Sequence, residues 1–326
     1  MSMSDRRVAI VGGGLSGLVC ARLLKDSGVD CFVLDRGRNP GGRVGAKSIF
    51  HNDHPFLMNH GAPKLDCHEV RSREIMTQLG VRVSDHGIIQ CTDMRSVIKQ
   101  LAAEIPIKSS TEVLRLRREG ASWVLSAKCY GQDDEFHTHA SDIVFACPSA
   151  QASRVLDASG LERPPEFQRV RYASQWVLLL VVESDALLST TGETLRFVDK
   201  GTSIESIEAV HRTGDHLALI ARMSPHRSSE LYNTDPDTVR TEMTNEIIGL
   251  LDGQGCSVEI LESQVHRWGL AHGVSQIERS HLCWADNQIS FIGDYFSGTR
   301  GDWRDADASI LSASTLATHL CESELT

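Results

Sequence analysis

The feature that most constrains this chain is its first glycine cluster, Gly12-Gly13-Gly14-Leu15-Ser16-Gly17, set directly behind the apolar run of residues 8–11. Four consecutive apolar residues ended by glycine read as a strand buried on both faces, as in a parallel sheet. Gly12, Gly14 and Gly17 follow the spacing G-x-G-x-x-G. Gly12 permits a tight turn, Gly14 admits a pyrophosphate against the backbone, and Gly17 lets the following helix pack closely on the strand. That helix is expected over about residues 15–26, with Leu18, Val19 and Leu23 inward and Gly28 as its stop. Its free N–H groups, from Leu15 and Ser16 onward, and its positive dipole end would face phosphates. A second strand follows over residues 31–35, and Asp35 stands where a carboxylate accepts hydrogen bonds from ribose hydroxyls. Strand, glycine turn, helix and acidic strand end together predict a dinucleotide-binding unit.

The chain has 326 residues, enough for two modest domains around one cleft. A net charge of -10 argues against a broad nucleic-acid or anionic-membrane surface. No apolar stretch approaches the roughly 20 residues of a membrane span, and Arg6-Arg7 precede a run that enters the glycine turn rather than a signal peptide. Nine cysteines are dispersed without a C-x-x-C, and several sit in apolar runs (Cys20, Cys31, Cys91, Cys147). They read as reduced thiols of a cytoplasmic protein. The close histidine pairs His51/His54 and His137/His139 lack the companion ligands of a metal site and read as surface.

Further along, residues 44–58 read as a polar loop. Helices are expected at 69–79 and 94–103, and a β-meander over 111–147. Its last run, 142–148, is fully apolar after Asp142 and returns to the parallel sheet. From about 164 to 263 the texture becomes strand-rich, with long apolar strands at 176–182 and 217–221. One helix there is capped by Asp235, started by Pro236 and stopped by Gly253. A strand at 289–294 ends in Gly293-Asp294, where a carboxylate can bind a polyol chain. A last helix is expected from Asp307 to Leu320, its start directed at an electron-rich ring edge.

The segment Arg36-Gly37-Arg38-Asn39-Pro40-Gly41-Gly42-Arg43 continues from the acidic strand end and resembles the Gly-Gly-Arg extension of the flavin-containing amine oxidase superfamily. Within it the chain resembles the renalase branch, through Gly61-Ala62, the helix at 93–101, Val113, Ala146-x-Pro148, residues 170–176, His266-Arg267-Trp268 and Gly293-Asp294. The likeness covers nearly the whole chain, weakly in the middle. It implies an α/β fold of para-hydroxybenzoate-hydroxylase-like architecture: a Rossmann-like FAD-binding domain with a β-meander, plus a strand-rich α+β substrate domain. The FAD-binding domain would be discontinuous (1–65, 91–163 and 264–326), and the substrate domain would comprise 66–90 and 164–263.

The resemblance further implies non-covalent FAD. Asp35, Arg36 and Val113 would hold the adenosine end, Gly12 to Gly17 with Gly42 and Arg43 the pyrophosphate, and Asp294 the ribityl chain. His60, Gly61 and Ala62 would lie on one side of the isoalloxazine, and Ala308-Ser309 on the other. Lys64, Tyr172, Trp176 and Trp268 are candidate pocket walls, each aromatic being equally a core residue. Renalases are described as oxidising dihydro-nicotinamide isomers, with oxygen as acceptor and hydrogen peroxide as product. Such an enzyme takes a small-molecule substrate and needs no metal, nucleic acid or membrane. This chain departs at Pro63-Lys64, where renalases usually carry Gln-Tyr, and at Ala308, where a glycine is common. An amine oxidase or other pathway-specific flavoenzyme on the same fold, a flavin-binding protein without turnover, and an NAD-only dehydrogenase remain alternatives.

Overall fold

The apolar run behind the glycine cluster becomes β1 (Arg7–Val11), a central strand with residues 8–11 buried. The computed structural model describes residues 6–184, 194–196, 201–302 and 304–322. Gly14 opens α1 (Leu15–Asp26), and Gly28 closes it at a φ of +83°, a conformation that favours glycine. β2 (Asp30–Leu34) lies parallel to β1, with Val8 opposite Cys31.

Residues 44–58 contain a hairpin rather than the expected loop: β3 (Lys47–His51) pairs with β4 (His54–Met58). Asn52 and Asp53 both take positive φ, 47° and 64°, as a two-residue turn matched to strand twist requires. Only Ile49, Phe56 and Met58 turn inward. The polar residues around them mask a period-two pattern.

β5 (Leu65–Asp66) and β6 (Ile88–Ile89) pair across α2 (Val70–Gln78), and α3 (Arg95–Ala102) follows. β7 (Ile107–Lys108) joins the edge of β2. β8 (Thr111–Glu119), β9 (Ser122–Cys129) and β10 (Glu135–Ala140) form the antiparallel meander. β11 (Asp142–Phe145) then returns beside β1, with Val8 opposite Asp142. α4 (Ser149–Ala158) comes next, a helix the sequence reading leaves unassigned.

The second sheet contains β12 (Arg171–Glu183), β13 (Thr194–Arg196), β14 (Ile204–Thr213), β15 (His216–Met223) and β16 (Glu259–Ser275), in the order β13-β14-β15-β12-β16. Between β15 and β16 run α5 (Pro225–Glu230) and α6 (Pro236–Asp252). Asp235 caps α6 by accepting the Thr238 N–H at 3.1 Å. β17 (Leu282–Trp284) and β18 (Ile289–Phe291) complete the first sheet, ordered β17-β18-β11-β1-β2-β7. The last helix, α7 (Asp305–Glu322), packs on α1.

The chain is thus a Rossmann-like α/β unit with a meander, joined to a strand-rich α+β unit, as expected. The two units share out the sequence differently from the expected segments. Cys67, Ile75, Met76, Leu79 and Ile89, from residues 66–90, enter one core with α1 and α7, because the apolar side of α2 meets α7. Residues 264–275 instead extend β16 along β12, from Gln264 opposite Leu179 to Ser275 opposite Arg171. The β3–β4 hairpin packs its inward residues against Val177, Leu179 and Ile220 of the second sheet.

Candidate dinucleotide and substrate site

The turn after β1 is built so closely that side chains are excluded from it. A Cβ at Gly17 would stand 2.0 Å from the Gly12 carbonyl oxygen, and one at Gly12 would stand 2.9 Å from that of Ala146. At Gly14 the surroundings open: nothing lies nearer to a Cβ there than the Gly42 Cα at 4.0 Å. No side chain caps α1, and its first turn carries no acidic residue. The N–H groups and dipole of a 12-residue helix therefore end in an open notch, which fits a diphosphate.

Asp35 is 8% exposed and receives the Gly13 N–H at 2.7 Å on one oxygen and the Gly37 N–H at 2.6 Å on the other. Burial raises its pKa, while those two N–H groups and Arg36 oppose the rise. A carboxylate oxygen with one donor still has a lone pair for a ribose hydroxyl. The Thr111 N–H bonds to the Asp35 carbonyl at 2.8 Å, so the meander begins beside Asp35, with buried Val113 two residues on. Arg36 is turned toward Glu112, at 4.0 Å.

Residues 41–45 form a strap. The Gly41 N–H bonds to the Gly13 carbonyl at 2.7 Å. The Arg43 carbonyl accepts the Ala62 N–H at 2.9 Å, and the Gly45 carbonyl accepts the Gly61 N–H at 3.0 Å. A Cβ at Gly61 would meet the Arg43 oxygen at 2.0 Å, so this crossing needs glycine. The Arg43 guanidinium grips both oxygens of Asp294 at 2.7 Å and donates to the Ala271 carbonyl at 3.3 Å. The resemblance assigns Arg43 to the pyrophosphate and Asp294 to the ribityl chain; the structure pairs the two with each other, at the end of β18.

Three expectations shift at the flanks. α7 begins at Asp305, so Ala308 lies inside its first turn, fully buried, with its N–H already bonded to the Arg304 carbonyl at 3.1 Å. Ser309 is buried beside it. Lys64 is tied to Asp66 at 2.9 Å on a half-exposed stretch. Trp176 is no pocket wall: it is packed in the core beneath α6, with its indole N–H on the Leu231 carbonyl at 3.2 Å. Strand alternation explains the difference from Trp268. Gln175 pairs with Trp268 and Trp176 with Arg267, so adjacent residues face opposite sides of the sheet.

Trp268 stacks on His60, with centroids 5.3 Å apart, and donates its indole N–H to the His60 carbonyl at 3.1 Å. His266 meets the His60 ring edge-on at 4.8 Å. Burial first, then His266, Lys47 and Arg222, push the His60 pKa down to about 4, so its ring is neutral at physiological pH. Arg222 pairs with Glu208 at 3.1 Å, with only 13% and 11% of the side chains exposed, and reaches the Gly61 carbonyl at 3.3 Å. Gln175 links His272 at 3.2 Å to Glu205 at 3.3 Å. Sequence reasoning named His266 and Gln175 only within segments of the resemblance, with no role at the site, and missed Arg222, Glu208 and His272. The one available signal was Arg222, a charge within the apolar run Leu217–Met223.

Among the described residues no set of three or more His, Cys, Asp or Glu is arranged to hold a metal, and no helix is long and apolar enough to cross a membrane. A family profile of NAD(P)-binding Rossmann-like domains matches residues 10–79. The whole chain is similar to a protein assigned as a protoporphyrinogen oxidase from Exiguobacterium sp. 255-15, at 12% identity over 99% of this chain and 100% of that one, with a TM-score of 0.67. A CLA-producing fatty acid isomerase from P. acnes matches at 13% identity over 98% and 99% of the two chains, with a TM-score of 0.67. A putrescine oxidase with redesigned cofactor binding matches at 13% identity over 98% and 99%, with a TM-score of 0.63. At these identities the likeness establishes the shared fold.

Proposed function

We propose that this protein is an FAD-dependent oxidoreductase of the flavin-containing amine oxidase superfamily, with renalase-like chemistry: oxidation of a reduced nicotinamide-type small molecule, with oxygen as final acceptor. The strap of residues 41–45 carries the reading. It runs from the glycine turn, past the Asp294 carboxylate, to the Gly61-Ala62 crossing. An NAD-only Rossmann unit needs the α1 notch and Asp35, but not this second glycine crossing 20 residues on. Two of the three similar structures are assigned as oxidases, which agrees with the reading.

Bound FAD supplies the hydride-accepting ring. The chain's own residues bind and orient it: Asp35 and the backbone near Val113 at the adenosine, the α1 N-terminus at the diphosphate, Asp294 at the polyol. Gly61, bare of a side chain at the strap crossing, would leave room for the ring. The stacked His60 and Trp268, with His266, form an uncharged wall in which the His60 imidazole, its pKa lowered to about 4, is neutral near neutral pH. A dihydro-nicotinamide needs no proton removed before hydride transfer, because its product is an aromatic cation. An amine must first expose its lone pair.

The test is to purify the protein, release its flavin by denaturation, and screen anaerobic flavin reduction with NAD(P)H, its isomers and amines. FAD is expected, with reduction by a dihydro-nicotinamide varying little between about pH 6 and 9. FMN or no flavin would sink the reading. Flavin without bleaching by any small molecule would leave a binding protein. A steep rise with pH, lost when His60 or Lys64 is replaced, would favour the amine oxidase; Pro63-Lys64, where renalases usually carry Gln-Tyr, is the observation on that side.

A further inference from the structure

We infer that the hydroxyls of Tyr172 and Tyr295, together with the N-terminus of α4, form a second phosphate-recognising wall that takes the flavin-side phosphate of the bound dinucleotide. This rests on the FAD reading above. Buried hydroxyls are nearly always hydrogen-bonded, since an unmet donor in the interior is costly. Tyr172 and Tyr295 both place a fully covered hydroxyl where no protein group meets it. Tyr295 is wholly buried, and its ring edge fills the place of a side chain at Gly293, where a Cβ would stand 2.7 Å from its Cε1. It is thereby fixed beside Asp294.

The two phenols are neighbours. Each feels the Asp294 carboxylate; Tyr172 also feels Arg43 and the N–H and hydroxyl of Ser149 beside it. Ser149 begins α4, a ten-residue helix with no side-chain cap, entered through Cys147-Pro148. The start of that helix adjoins the glycine turn: a Cβ at Gly12 would lie 3.1 Å from the Cys147 nitrogen. Two uncapped helix N-termini, α1 and α4, therefore approach one glycine turn. Burial raises both phenol pKa values, so the hydroxyls stay protonated. With Arg43 already engaged by Asp294, the wall offers neutral donors. That suits an acceptor-rich group such as a phosphate ester.

The experiment uses full-length protein carrying Tyr172→Phe, Tyr295→Phe and both. FAD dissociation is followed by flavin fluorescence, and the two phosphates of bound FAD by phosphorus NMR. Each single variant should raise the FAD dissociation constant about threefold to tenfold and the double variant more. One phosphorus resonance should move while the other stays, and the flavin-free melting temperature should not fall. An unchanged dissociation constant overturns the inference, as does a loss of affinity with both resonances unmoved. Thermal stabilisation by ADP separates the two readings. ADP protection of wild type and double variant alike sinks only the tyrosine wall. If ADP does not protect and no FAD is found, the dinucleotide reading itself falls.

Discussion

At the carboxyl end of the six-stranded sheet the candidate functional atoms belong mostly to the backbone: the α1 N–H groups, the bare Cα atoms of Gly12, Gly14 and Gly17, and the strap crossing at Gly61. On the facing five-stranded sheet they belong to side chains: His266, Trp268, Gln175, Arg222 and Glu208. A site made of backbone tolerates almost no added atom, because the approach distance is the function. A site made of side chains on a regular sheet can change residue by residue without disturbing the strands beneath. The unit with the glycine turn is thus rigid in sequence, and the unit with the five-stranded sheet is open to variation.

Glycine substitutions test that contrast most severely. Gly61→Ala or Gly17→Ala places a Cβ 2.0 Å from a carbonyl oxygen, and should cost about 3 kcal/mol through forced backbone movement. A Cβ at Gly249, on the exposed side of α6, would meet nothing within 4 Å, and alanine there should gain about 0.5–1 kcal/mol. Urea unfolding measures both. Equal stabilities for Gly61→Ala and Gly249→Ala would erase the contrast.

The two ion pairs come next. Arg222→Ala strands Glu208 in a site where both partners are nearly covered, and should cost about 3 kcal/mol. Arg43→Ala should cost less in stability, about 1–2 kcal/mol, because Arg43 is 33% exposed even though Asp294 is only 10% exposed. The same change should weaken FAD by about 1.5–3 kcal/mol. If Arg43→Ala leaves FAD affinity intact, the Arg43–Asp294 pair is a brace between the units and not part of the cofactor site.

Acid should act at the junction of the units. The folded-state pKa of His60, about 4, lies below the ordinary value of 6.5. Below pH 6.5 the unfolded chain therefore binds the extra proton, and stability present above 6.5 is lost as pH falls toward 4. The loss should reach about 2 kcal/mol near pH 5. His60→Gln should flatten that part of the stability–pH curve; an unaltered curve would assign the acid sensitivity to another half-buried histidine, such as His281. The smallest effect is expected at Lys64, whose half-exposed pair with Asp66 should make Lys64→Met neutral within about 0.5 kcal/mol. Slowed flavin reoxidation in that variant would draw Lys64 back to the ring.

Backbone-made features leave marks in sequence. Gly12, Gly14 and Gly17, the apolar run behind them, Asp35, and the Asp235-Pro236 cap are chemical necessities of a turn, a helix start or a close approach, and each was readable. The β3–β4 hairpin was not, because only three of its residues face inward and its turn uses Asn52-Asp53 without a glycine. The sharing of strands between units was hidden as well: residues 264–275 belong with β12 through pairing at a separation of about a hundred residues. The same non-local register decides that Trp268 faces His60 while Trp176 is core, and no spacing within either strand reveals it. The Arg43–Asp294 pair joins residues 251 positions apart.

The order of the first sheet has a consequence for synthesis. β11 lies between β1 and β18, with Ile143 opposite both Ala9 and Ile289. A nascent chain leaving the ribosome completes the five-stranded sheet by residue 275, while β11 still presents one bare edge. Asp294, α7 and the second cover of α1 are translated after that sheet. The growing polypeptide can therefore assemble its five-stranded sheet before β18 covers the open edge of β11.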